Sequence, residues 1–192
     1  MLIIKVGGGA DINIPGVVND LAVLDDPFVV ILGANALRDS IGERLAMTKQ
    51  ELTSLSGYTS VYSDESAIDL IMMTYAGLRN RRFVELCQRQ GVNAIGLSGL
   101  DGRLVQGERN RGIRVREGGK TILKRDFSGK PRSANTTLLE LLLKHEYRPV
   151  ISIPIIDEQG HAINSENDDI VNVLQKGLNA TRILQLIEAP GF

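Results

Sequence analysis

The sequence predicts an α/β fold, a mostly parallel sheet sandwiched by helices, and three observations carry that expectation. Short apolar runs recur along the chain, segments of helical periodicity lie between them, and Gly, Pro, Asp or Asn bounds most of the joints. Strands that alternate with helices join by right-handed crossovers, which cover both faces of a parallel sheet.

The expected strands are "LIIKV" at 2–6, "FVVIL" at 28–32, "NAIGL" at 93–97, "PVISIP" at 149–154 and "RILQLI" at 182–187. Each is too short to stand as a helix. The expected helices are 14–24, 35–47, 64–91, 133–146 and 167–179, with Ser133 and Asn167 as N-caps, Gly91 as a stop and a break near Gly77 in the longest. One section departs from the alternation. Between 103 and 132, "IRVRE", then "GG", then "KTILKRD" predicts a β-hairpin with a two-glycine turn, standing on the α/β domain as an antiparallel insertion.

Composition narrows the class. The chain has 192 residues, 43% hydrophobic, 23% charged and 4% aromatic, with no Trp, which describes a globular protein rich in aliphatic packing. Net charge is −1, so nothing global recruits nucleic acid or an anionic membrane. The sequence shows neither a leader pattern nor an apolar run of the roughly 20 residues that a membrane span requires, so a cytoplasmic setting is the expectation. Cys87 is the only cysteine and sits at an apolar helical position, where a core thiol is expected.

Charge is nevertheless segregated. Residues 103–132 hold ten Lys or Arg against three Asp or Glu, about +7, leaving about −8 for the rest. Arg109, Arg111, Arg114, Arg116, Lys124 and Lys130 lie in this stretch. It reads as a solvated hairpin face or as a docking surface for an acidic partner; nucleic acid comes last, because Phe127 is the one aromatic there for stacking.

The candidate chemistry sits at the ends of strands. In "KVGGGA", Gly7, Gly8 and Gly9 follow the first strand and Lys5 lies within it. A turn without side chains lets backbone N–H groups approach an anion, though a tight β-to-α turn needs glycine as well, with Lys5 extending to the surface. The pattern is neither a P-loop nor a dinucleotide fingerprint. Gly33 and Ala34 close the second strand in "VVILGAN". "INSENDD" at 163–169 supplies Asn164 and Asp168 at a helix start, where capping and ligand binding both favour such residues. No His or Asp cluster proposes itself as a metal site.

Together, "KVGGG", "ILGA", "YSDESAIDLI", "NAIGLSGLDGRLV", "RDFSGKP" and "HAINSENDD" stand in the order and spacing of the amino acid kinase family. Within it the chain is similar to acetylglutamate kinases and to relatives acting on 2-aminoadipate or glutamate tethered to the small carrier protein LysW; the hairpin favours the latter. The resemblance implies transfer of the γ-phosphoryl group of ATP to a side-chain carboxylate, with Mg2+ riding on the phosphates. N-acetylglutamate is the alternative acceptor, and a non-catalytic substrate- or carrier-binding form is the alternative in kind.

By the same resemblance Lys5 neutralises the transferred phosphoryl group, Gly7 and Gly8 bring donors against it, Gly9 gives clearance, Asp168 positions the lysine, and Gly33, Ala34 and Asn164 contact the acidic substrate. The basic hairpin would dock the carrier, and a homodimer is implied. Val61 stands where many members place an arginine that grips the substrate's α-carboxylate, and Glu166 replaces a common amide or Asp. The resemblance further divides the chain into an acid-substrate domain at 1–153, including the hairpin, and the start of an incomplete nucleotide-binding domain at 154–192.

Overall fold

The computed structural model describes residues 1–47, 50–53, 55, 57 and 59–189. In chain order its elements are β1 (Leu2–Val6), α1 (Ile14–Ala22), β2 (Phe28–Leu32), α2 (Asn35–Arg44), β3 (Glu51–Thr53), β4 (Thr59–Val61), α3 (Glu65–Ile71), α4 (Asn80–Arg89), β5 (Ala94–Ser98), β6 (Val105–Arg109), β7 (Ile113–Glu117), β8 (Lys120–Lys124), β9 (Gly129–Ala134), α5 (Thr136–Lys144), β10 (Arg148–Ser152), β11 (Ile155–Ile156), β12 (Ala162–Ile163), α6 (Asn167–Leu178) and β13 (Arg182–Leu186). Five parallel strands in the order β13-β1-β2-β10-β5 form the central sheet, from the five apolar runs read in the sequence.

Two hydrophobic layers cover it. Alternation along β1 sends Ile4 and Val6 to one face, where they meet Val18 and Leu21 of α1 and Phe83 and Cys87 of α4. Ile3 points to the other face, with Val29 and Ile31, against Ile68, Leu139, Ile170 and Leu174. Lys5 shares the parity of Ile3, so its side chain runs toward the layer that holds α6. Ile3, Ile31, Leu139 and Ile170 are fully buried, each contributing about 1.5–3 kcal/mol of burial. Among the described residues no helix is long and apolar enough to cross a membrane.

Several local expectations are corrected. The helix after the hairpin is capped by Asn135, whose Oδ1 accepts from Leu138 N at 3.1 Å, while Ser133 is paired opposite Gln106 in β9. Asn167 is the first helical residue, and Glu166, with no side-chain bond to the helix, holds the cap position. The long helix is not broken at Gly77. A π-helical stretch, Met72–Arg79, joins α3 to α4, and its wider turns absorb the irregularity. The run at 149–154 stops as a strand at Ser152, since Ile155 and Ile156 belong to a second sheet of order β12-β11-β6-β9.

The basic insertion is therefore two nested antiparallel pairs. The outer arms β6 and β9 belong to that second sheet, and only β7 and β8 project as a hairpin. Gly118 and Gly119 turn it with φ of 55° and 78°, a left-handed pair that side chains resist.

Candidate active site

Lys5 Nζ donates to Asp168 Oδ1 at 2.6 Å, a contact between residues 163 apart in sequence. The lysine side chain is 13% exposed and the aspartate 59%. The strand places Lys5 on the α6 side of the sheet, and the first turn of α6 presents Asp168 to it. Negative charge suits that end of a helix.

The four glycines do different things. Gly7 N–H donates to Leu186 O and Gly33 N–H to Val6 O, both at 2.9 Å, so those donors belong to the sheet. Gly8 and Gly33 let the two turns meet backbone to backbone: a Cβ on Gly8 would lie 2.6 Å from Ala34 N, and one on Gly33 would lie 2.6 Å from Gly8 N. Gly8 O accepts from Ala36 N at 2.9 Å, while Gly8 N–H has no intramolecular acceptor among the described residues. At Gly9, the space of a Cβ is filled by the Glu188 carboxylate, whose Oε1 accepts from Asp11 N at 2.6 Å. The turn thus already holds an anion of its own chain. Ala34 is 1% exposed and caps α2 without a side-chain bond, so only its backbone is offered.

Asn164 belongs to a second group that sequence distance conceals. Asp126, 1% exposed, accepts from Ser63 N through Oδ2 at 3.2 Å and from Ser128 N and Oγ through Oδ1 at 3.2 and 2.6 Å. Phe127 N donates to Ser63 O, Asn164 N to Phe127 O, and Asn164 Nδ2 to Ser63 Oγ at 3.2 Å. "YSD", "RDFSG" and "INSEN" are thereby joined, and a buried carboxylate whose acceptors are satisfied is a rigid joint. The motifs that contain Asp126 and Ser63 stand out in the sequence, whereas neither residue does so individually, since an Asp and a Ser in a loop carry no local signal of burial.

Beside this joint lies a cavity of about 680 Å³ lined by Arg38, Asp39, Val61, Ser63, Asp64 and Asn164, among others. Among the described lining residues Arg38 is the one cation. Its Nε and Nη2 meet Asp39 Oδ1 at 2.8 and 2.7 Å. Tyr75, 2% exposed and outside the cavity lining, donates its hydroxyl to Asn35 Oδ1. Burial pushes the Tyr75 phenol up to about 12; Asp39 and Glu166 add to this, and Arg38 and the Ala34 N–H oppose it.

The basic residues divide as well. Arg109 stacks 4.0 Å over the Phe127 ring and its Nε donates to Asp126 O at 2.6 Å, so it braces the joint. On the hairpin, Arg114 and Arg116 share a face with Leu123 and Thr121, whereas Lys124 lies on the opposite face with Val115 and pairs with Glu117. Arg114, Arg116, Arg111 and Lys130 are exposed, as is Leu123. "SGLDG" is spent internally: Asp101 Oδ2 accepts from Ser98 N and Oγ at 2.6 and 2.8 Å.

The family model described as the amino acid kinase family matches residues 1–192. A LysW-aminoadipate kinase of Thermus thermophilus is 37% identical over 196 residues, spanning all of this chain and 73% of that protein. An acetylglutamate kinase of Methanopyrus kandleri is 30% identical over 191 residues, again across the whole chain and 72% of the relative. Among solved structures, the Streptococcus mutans protein smu.665 superposes with a TM-score of 0.76 over 99% of this chain and 73% of that one, at 13% identity, a likeness of fold.

Proposed function

The chain belongs to the amino acid kinase family, and from that premise we propose that it transfers the γ-phosphoryl group of ATP to the side-chain carboxylate of 2-aminoadipate or glutamate held on a small acidic carrier protein. The product is an acyl phosphate. The observation that carries this reading is the Lys5–Asp168 contact, which fixes the ammonium group of a β1 lysine at the start of α6.

A carboxylate and a phosphoryl group repel, so the protein must supply positive charge and donors where they meet. Lys5 supplies the charge, and Asp168 holds it in one place. Gly8 supplies a backbone N–H that has no acceptor among the described residues. The acceptor lies in the cavity beside Ser63 and Asn164, with Arg38 as its cation in place of the arginine expected at Val61. Among the described residues no group of three or more His, Cys, Asp or Glu could hold a metal ion; magnesium comes with ATP, neutralising its phosphates.

The exposed face of Arg114 and Arg116, with Leu123 opposite Arg114, suits an acidic carrier, since complementary charge speeds encounter and sets orientation. The setting is the reducing cytoplasm. The test is ADP release from Mg-ATP with carrier-linked 2-aminoadipate, carrier-linked glutamate and N-acetylglutamate, with Lys5→Ala as control. Turnover confined to the tethered acceptors supports the reading. Turnover with N-acetylglutamate alone replaces it by the acetylglutamate kinase alternative, and carrier binding without ADP release makes the chain a binding form.

A further inference from the structure

The start of α2 carries an arrangement that the reading above does not use. Asn35 is exposed, and its Oδ1 is taken by the hydroxyl of buried Tyr75. With Oδ1 on the tyrosine, the nitrogen end of the amide is turned away from it. Its Nδ2 group, with two N–H donors, has no acceptor among the described residues. Tyr75 lies in the π-helical stretch Met72–Arg79, packed in the core with Ile68, Ile71 and Ala34. Such stretches place side chains where a regular helix would not.

Two further donors continue from this amide. On one side Asn35 N is packed against Gly8, whose own N–H is unpaired among the described residues. On the other, Arg38 lies three residues along α2, on the same helix face, and lines the cavity. Gly8 N–H, the Asn35 amide and Arg38 thus follow one another from the glycine turn along the start of α2, and of the three Arg38 lines the cavity. An acceptor reaching from the cavity toward the glycine turn would meet Arg38 first and Asn35 next.

Resting on the kinase reading, we infer that Asn35 contacts the acceptor's reacting carboxylate through its Nδ2 group and that Tyr75 is the positioning residue that holds this amide in register. A hydrogen bond from a fixed amide to a carboxylate favours the bound acid without adding a charge that would compete with Lys5 for the phosphoryl group. Because Oδ1 is tied down, the amide presents donors only, and the acceptor does not meet a repelling oxygen.

The experiment is a double-mutant cycle on the full chain, read as kcat and KM for carrier-linked 2-aminoadipate and separately for ATP. Asn35→Ala is expected to lower kcat/KM for the acceptor by about 10- to 100-fold, the worth of a hydrogen bond to a charged group, with the ATP KM unchanged. Tyr75→Phe is expected to lower it less, and the double variant to be no worse than Asn35→Ala alone, because Tyr75 acts through Asn35. Asn35→Asp keeps an acceptor for the Tyr75 hydroxyl and removes the donors, so it isolates the contact if Tyr75→Phe folds poorly; it should be at least as impaired as Asn35→Ala.

Additive losses in the cycle, an active Asn35→Asp, or equal losses toward ATP and acceptor overturn the inference while leaving the kinase reading intact. If the unmodified chain does not turn over, calorimetry with carrier-linked 2-aminoadipate takes the place of kinetics, and weaker binding by Asn35→Asp is the supporting result. An unmodified chain that neither turns over nor binds any acceptor overturns the kinase reading and this inference together.

Discussion

Removing the Lys5 ammonium group as Lys5→Ala, or its anchor as Asp168→Asn, separates catalysis from folding. Lys5 is 13% exposed, at the edge of the core rather than in bulk solvent. A unit charge about 4 Å from a developing charge, at an effective dielectric of about 20, is worth about 4 kcal/mol. That corresponds to about a thousandfold in rate. Asp168→Asn leaves the lysine present but unpinned, and a misplacement of about 1 Å costs up to about 100-fold. Stability should barely move. The aspartate is 59% exposed, and ion pairs of that kind contribute about 0–1 kcal/mol, which for a chain of this length is less than about 4 °C in Tm. The assay is coupled ADP release at saturating Mg-ATP with carrier-linked 2-aminoadipate, alongside thermal unfolding of each variant. A Lys5→Ala enzyme within a few-fold of the parent, or a rate loss that follows unfolding, would refute the assignment.

Other consequences are equally open to measurement. Gly8→Ala puts a Cβ 2.6 Å from Ala34 N, where the neighbours are backbone atoms; urea unfolding should show a loss of about 1–3 kcal/mol, and ADP release should fall beyond what that loss explains. Reversing Arg114 and Arg116 to Glu should slow association with an acidic carrier by about tenfold or more at low salt, with the difference shrinking as salt is added; Lys124→Glu, on the other face of the hairpin and paired with Glu117, should do less. Burial pushes the Cys87 thiol from its ordinary 9.0 up to about 12. The unfolded chain therefore ionises first, so stability is intact below about pH 9 and falls as pH rises toward 12, by up to about 1.4 kcal/mol per unit. A Cys87→Ala variant should lose that part of the alkaline slope in pH-resolved unfolding.

Read locally, the sequence carries the layering of the fold, and it brings forward Lys5, Asn164 and Asp168 as candidates for a site. Period-two alternation and short apolar runs are local properties, so β1, β2, β5, β10 and β13 were legible, and so was the oddity of Lys5 in a buried strand. Capping was legible only within a residue or two. Ser133 suits a cap in isolation, but its backbone is claimed by pairing opposite Gln106, which local propensity does not register.

Tertiary structure decided what each group is free to do. Nothing in "KVGGG" separates Gly7, whose N–H is bonded to Leu186, from Gly8, whose N–H is not. Equally, nothing in "RDFSG" reveals that Asp126 ties this motif to Ser63 of "YSD", that Arg109 braces that joint while Arg114 and Arg116 face outward, or that a tyrosine 40 residues away bonds Asn35. The physical reason is the same in each case: residue type records what a group can donate or accept, whereas which of those capacities remain open depends on partners that only the folded chain brings within 3 Å.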